Sequence, residues 1–312
     1  FLWGFGNLPV MVYNSLTMWI FHSLLSALAH SFQLSVGKRL VVKFSSWFVA
    51  WTMHVVMLVL FLIFGYFTYQ GVPWENVSFS VAMAVAVVPY IFGSVVIIES
   101  TKRCDLSIVA PIVALTPIFI VVIEYFWLGA VPGPYGFLGI GMVVLGGYIL
   151  NLSKAKGGKI FEPILSVFRR GQGLFALTGA FLFAFSATGC KVALQYSDAY
   201  SFATAVYVLS FFAISLVFGI LLSFRVVKFP KFTLKDSGWL GLHGVLLSIN
   251  GLANQLAFAL AAYASYVISL KRMSALFGVV LGVLFFKEKG LSERMTGAVV
   301  MVAGVVVLAV FG

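Results

Sequence analysis

Apolar residues run through this chain in stretches of about twenty, closed by short gaps, which matches the length an α-helix needs to cross the hydrocarbon core of a bilayer. Ten such stretches can be drawn: Leu16–Val36, Phe44–Tyr66, Ser78–Ile98, Leu106–Leu128, Tyr135–Leu152, Leu174–Ala193, Ser201–Phe224, Gly238–Ala262, Ala264–Phe286 and Arg294–Gly312. The gaps hold residues that end helices, as in Gly71-Val72-Pro73, Val131-Pro132-Gly133-Pro134 and Ser197-Asp198-Ala199. The gap at Ala261–Tyr266 is the least marked, with no Gly, Pro or charge. The pattern predicts an all-α integral membrane protein of about ten transmembrane helices, with connections too short for a folded soluble domain.

The polar positions add an orientation. Numbering each gap by the span before it, the odd gaps carry the cations: Lys38, Arg39 and Lys43; Lys102 and Arg103; Lys154 through Arg170; Arg225 through Lys235; Lys287, Lys289 and Arg294. The even gaps carry none. Cytoplasmic loops are enriched in Lys and Arg, so the odd gaps are expected in the cytoplasm and both termini on the opposite side. Spans one to five and six to ten then run in opposite senses, the arrangement of an inverted repeat. Gly139 and Gly146 have the same spacing as Gly297 and Gly304, and the Lys38 end of span one resembles the Lys191 end of span six. The expected division is a lead-in over 1–15, a five-helix repeat over 16–152, a basic cytoplasmic connection over 153–173 and a second repeat over 174–312. The chain opens on Phe1 rather than Met, so its start is expected to be cut or processed, and Phe1–Tyr13 reads as an interfacial segment.

Three cations break the rule by lying inside spans: Lys191, Lys271 and Arg272. At the centre of a membrane helix each costs about 2.5–3.5 kcal/mol, so the adjacent pair asks for roughly 5–7 kcal/mol of compensation from water, an acid or an anionic ligand. Glu124, near the end of span four, is the candidate coupling or ion-pair carboxylate, or else an interfacial acid facing water. Helical spacing puts His22, Ser26, His30 and Gln33 on one stripe of span one, and His243, Asn250 and Asn254, with Gln255 beside them, on one stripe of span eight. These faces should point to the bundle interior, bonding helix to helix or lining a cavity. The histidines lack the carboxylate or thiolate company of a metal site, and no cofactor is implied. Cys104 and Cys190 read as packing residues. Pro89, Pro111 and Pro117 interrupt spans three and four as kinks or as openings of the backbone toward a cavity. Gly278 and Gly282 form a GxxxG for close helix packing, or for a homodimer interface in place of a monomer.

Composition narrows the class. With 312 residues, 62% hydrophobic, 9% charged and a mean hydropathy of +1.09, the chain is too apolar for a soluble globular domain. Its net charge of +11 sits in short connections, where anchoring to an anionic leaflet explains it and nucleic acid need not. No nucleophile and base, phosphate loop or paired carboxylates appear, so an enzyme is not expected.

The ten spans, the inverted halves and the closing pattern SALFGVVLGVLFFKEKGLSERMTGAVVMVAGVVVL resemble the drug/metabolite transporter superfamily, specifically its EamA-like ten-helix members. The segment after span four, FWLGAVPGPYGFLG, lacks the Glu that stands as Glu288 in the second half, so the first half looks the more divergent. Lys271-Arg272 resembles the cationic pair that triose-phosphate and nucleotide-sugar members place on the penultimate helix to hold the substrate phosphate. The resemblance implies a secondary transporter or exchanger of a small organic solute with a carboxylate or phosphate, in a bacterial or archaeal cell membrane. Lys271, Arg272, Lys191, Asn250, Asn254, His30 and Gln33 are its candidate substrate-binding residues. Two alternatives stay open: an exporter of amino acids or amphiphilic compounds with structural cations, and a non-transporting membrane receptor or scaffold with a filled interior.

Overall fold

A computed structural model describes residues 8–103, 106–152, 172–286 and 291–312, with side chains for 18–100, 109–150, 173–281 and 295–312. The connection over 153–171, Glu288 and Phe1–Asn7 therefore lie outside the described residues, as does the side-chain environment of Gly282. Every described element is helical: α1 Leu8–Lys43, α2 Ser46–Thr68, α3 Val77–Arg103, α4 Leu106–Val113, α5 Thr116–Leu128, α6 Pro134–Leu152, α7 Gln172–Ala193, α8 Ala199–Ser223, α9 Leu234–Leu260, α10 Ala264–Lys271, α11 Ser274–Phe286 and α12 Leu291–Phe311. Each of the ten stretches finds its helix. Leu8–Tyr13 is continuous with α1, and α3 runs through Pro89 without a break.

Local chemistry sets the ends. Ser45 accepts from Phe48 N at 3.2 Å to start α2, and Asp198 accepts from Tyr200 N and Ser201 N at 3.0 and 2.9 Å to start α8. Thr233 and Asp236 form a capping box on α9. Gly129, at φ 63°, ends α5 in the left-handed conformation that glycine tolerates best.

Among the described residues, six spans are long and apolar enough to cross a membrane: Ser46–Thr68, Val77–Ser100, Val109–Leu128, Gly173–Ala193, Ala199–Ser223 and Ala264–Leu281. Pro134–Leu150 and Met295–Phe311 are shorter apolar helices. The two helices outside both groups, α1 and α9, are those with the polar stripes. They pack on one another, and Ser26, Gln33, His243, Asn250 and Asn254 of the stripes are buried.

The packing has a twofold pattern. Exchanging each helix of the first five spans for its counterpart in the second turns the α3–α7 contact into α9–α1, and leaves α6–α12 and α2–α8 in place; all four are major contacts. The α6–α12 crossing shows the relation atom by atom. A Cβ on Gly146 would stand 2.5 Å from Met301 N and 2.7 Å from Gly297 O. One on Gly304 would stand 2.9 Å from Gly139 O. Gly146 thus faces Gly297 and Gly139 faces Gly304, so the two helices cross antiparallel, backbone on backbone. The glycines matched by spacing in the sequence are each other's neighbours.

The fourth and ninth spans are both broken, each into a helix of eight residues and one of thirteen. Both breaks are made by a switch to i→i−3 bonding: Leu115 N to Ile112 O at 3.1 Å in the first, Met273 N to Leu270 O at 2.9 Å in the second. Pro117 opens α5, where its missing N–H costs nothing. The second break has neither Pro nor Gly, and the stretch that read as one apolar run over Ala264–Phe286 parts at Lys271-Arg272.

Candidate functional site

The break in span nine places the cation pair. Lys271 ends α10 and Arg272 is its C-cap, with Arg272 N bonded to Ile268 O and Ser269 O at 3.2 and 3.0 Å. Ala264–Leu270 are all buried, and so are Met273 and Ser274, whereas Lys271 and Arg272 keep part of their surface accessible. Lys271 Nζ donates to Asn254 Oδ1 at 3.3 Å, and Arg272 Nε is buried with no hydrogen-bond partner. Neither cation joins an ion pair among the described residues; the pair formed there is Lys43 with Asp236 at 2.5 Å, at the junction of the α1 C-terminus and the α9 N-terminus.

The energetics leave a remainder. A cation at a helix C-terminus gains about 0.3–1 kcal/mol, and up to about 2 in partly buried geometry, from the carbonyls and dipole there. A single hydrogen bond adds about 1 kcal/mol. Against roughly 5–7 kcal/mol for two cations in a membrane interior, several kcal/mol are left for water or an anion. The first half argues the same point. Counted from the breaks, Lys271 and Arg272 stand where Val113 and Ala114 stand in span four, so the break itself needs no charge.

Around the pair the predicted stripes meet. Asn250 Oδ1 accepts from Ser26 Oγ at 2.8 Å and its Nδ2 donates to Gln33 Oε1 at 3.1 Å. The same Gln33 oxygen lies 3.3 Å from His30 Nδ1. These side chains form a polar layer between α1 and α9, and His30 lies within electrostatic reach of Lys271, Arg272 and His243. Asn254 ties that layer to Lys271. His22, from the same stripe, lies instead on an outer apolar crevice of about 410 Å³ with Met18, Tyr200 and Leu260.

Lys191 is directed elsewhere. Its Nζ donates to Phe258 O at 2.8 Å and to Ala261 O, the closing carbonyls of α9. Glu124 is fully buried rather than facing water, and accepts from Ala264 N at 2.6 Å and Ser265 N at 3.4 Å. Sequence spacing placed Gln255 beside a stripe but did not find its partners: Gln255 Nε2 donates to Tyr207 OH at 3.1 Å and to Cys190 Sγ at 3.7 Å, and buried His54 lies with its ring against Tyr90. A lone Tyr, His or Cys in an apolar span has no periodic partner to reveal it. Only the adjacency of Cys190 to Lys191 offered a signal. A second crevice, of about 270 Å³, opens where α3 begins and α5 and α7 end, lined by Val77, Trp127, Leu128, Val192, Gln195 and Tyr196.

Comparison with known proteins bears on the first five spans. Residues 17–152 match the model of the EamA-like transporter family, to which this half of the chain is therefore similar. The match falls on the half that departs from the family's closing pattern. The matched family is one of membrane transporters, and the long apolar helices agree with a chain that lies in the membrane. No curated protein matches it. Among 29 similar chains of solved structures, one titled "Crystal structure of protein" superposes at a TM-score of 0.69, covering 94% of this chain and 96% of its own at 13% identity. At that identity the likeness concerns the fold alone.

Proposed function

We propose that this EamA-like protein is a secondary transporter or exchanger of a small organic solute with a carboxylate or phosphate group. The observation that carries the reading is Lys271-Arg272: two partly accessible cations on an otherwise buried half-helix, at a break built in the first half from Val113 and Ala114. Arg272, with its Nε unpartnered, can hold an anion through two parallel hydrogen bonds, and Lys271 adds a point charge. Asn254 and His30 complete the ring around the anion. Lys191 and Asn250 orient helices rather than touch solute. The division into 16–152 and 174–312 gives two halves that rock around this layer, with the basic odd gaps in the cytoplasm.

Counterflow in proteoliposomes tests the reading. Preloaded small carboxylates or phosphate esters should drive uptake of their labelled counterparts, and uncharged analogues should not. Full exchange of every transported anion by Lys271→Ala and Arg272→Ala variants would refute it.

A further inference from the structure

α10 is held at its start by a residue from another helix. Tyr263, at its N-cap, makes no side-chain cap bond; Glu124 of α5 supplies both, to Ala264 N at 2.6 Å and Ser265 N at 3.4 Å. On the other side of the same joint, Lys191 of α7 holds Phe258 O and Ala261 O. An acid and a base thus grip the two ends of the short turn that links α9 to α10. Their charges act on one another, yet they close no ion pair among the described residues. Among the acids whose side chains are described, Glu124 alone is buried.

We infer that Glu124 is a proton-binding site that couples proton movement to solute movement in the same direction. The inference rests on the solute site proposed above. The second crevice lies near the site in the chain: of its lining residues, Trp127 and Leu128 lie one turn beyond Glu124 on α5, and Val192 follows Lys191. The ionised carboxylate suits its place, since it accepts from two free N–H groups at a helix start. A proton makes one of its oxygens a donor and cancels its charge, so the cap weakens from two charged acceptors to one neutral one. The groups facing it are Lys191 from α7 and Tyr266 from α10, with Tyr263 in the joint; α6 brings Tyr135 and Tyr148 as its ionisable residues.

Two consequences reach the solute site. α10 has eight residues, about 12 Å at 1.5 Å per residue, and ends on Lys271, so a shift at its capped end moves the cations. Protonation also leaves Lys191 without its counter-charge, so the interior around α10 gains positive charge, which favours an anion at Lys271-Arg272. Proton and anion therefore bind with positive coupling, which by linkage acts equally in both directions. The proton enters from water on one side, rides on the Glu124 oxygen, and leaves to water on the other side with the solute.

The test uses the full chain in proteoliposomes, with inorganic phosphate, acetate and succinate as probes. Gln in place of Glu124 keeps an oxygen to cap Ala264 N but cannot take up a proton. Wild type should accumulate a transported probe about 10-fold or more when an acidic exterior drives it. E124Q should accumulate none, yet exchange it within about 3-fold of wild type and without pH dependence. E124Q accumulation equal to wild type, or wild-type uptake indifferent to the gradient, overturns the proposal. The infrared band of a protonated carboxyl, followed from neutral to acidic pH, reads the site without any substrate. Its loss in E124Q supports the proton site even if no probe is exchanged, a result that would count against the anion reading alone. An unchanged band overturns the proton site.

Discussion

The sharpest test of the cation pair is to give the second half the break of the first. Lys271→Val with Arg272→Ala writes the Val113-Ala114 sequence at the corresponding position, where the same i→i−3 turn joins helices of the same two lengths. On the stability side the double variant loses one 3.3 Å bond, Lys271 to Asn254, a change of about 1 kcal/mol. It also removes two cations whose insertion costs roughly 5–7 kcal/mol in total. The folded protein should therefore be at least as stable as wild type, with an unchanged or raised midpoint for thermal unfolding in detergent. On the binding side it loses two charge-assisted contacts to the solute, each about 1.5–3 kcal/mol, so the dissociation constant of an anion should rise by about 10² to 10⁴-fold. Thermal unfolding and equilibrium anion binding on the same preparation separate the two effects. A large fall in the unfolding midpoint would show that the cations build the break, and unaltered anion binding would show that they do not touch solute; either result refutes the reasoning.

Three further outcomes follow from the geometry. Gly146→Leu should disrupt the α6–α12 crossing, because its Cβ alone meets Met301 N at 2.5 Å and backbone cannot yield as a side chain can; a loss of at least about 1–3 kcal/mol is expected by chemical denaturation, while Gly141→Ala, with open space at that position, should be neutral. Gln33→Ala strips Asn250 Nδ2 of its acceptor and should cost about 1–3 kcal/mol, with Gln33→Glu restoring an acceptor and recovering part of the loss. The Lys43 ammonium and the Thr233 cap hold the Asp236 carboxyl well below the usual aspartate range. A group whose folded pKa is lowered stabilises above its unfolded value, so this contribution is present above about pH 4 and fades as the pH falls further. Asp236→Asn should flatten that part of the curve of unfolding midpoint against pH.

How much was legible in the chain depended on whether the information was periodic. Hydrophobic length located every span, and the glycines at Gly139, Gly146, Gly297 and Gly304 announced a crossing because small residues matter only where backbones touch. The stripes of α1 and α9 were readable for the same reason, since His30, Gln33, Asn250 and Asn254 recur at helical spacing. The break in span four was announced by Pro117, which opens α5. The break in span nine was not, since Arg272-Met273 carries no residue that a continuous helix would avoid. Lys191 and Glu124 were visible as charges, but a side chain that caps another helix leaves no trace in its own neighbours.

The two halves share a frame but not a charge distribution. A twofold arrangement of apolar helices is satisfied by packing alone, as the first break shows with Val113 and Ala114. In register from the breaks, the position of Glu124 in α5 corresponds to Gly282 in α11, and the cations of the second break have no counterparts in the first. Both departures converge on one element: the acid of the first half caps the start of α10, and the cations of the second half close its end. An eight-residue helix whose start is held by a titratable group and whose end bears the solute's counter-charges is the shortest rigid link the fold could offer between the two. Duplicating Gly282 onto position 124, as Glu124→Gly, should leave the crossings of α6–α12 and α3–α7 intact and free α10 from its cap. The expected signature is a protein that unfolds near the wild-type midpoint and binds anions without pH dependence, at neutral pH at least as tightly as wild type. A variant whose anion binding keeps the wild-type pH dependence would separate the cap from the site and leave the halves' asymmetry at Glu124 without a role in binding.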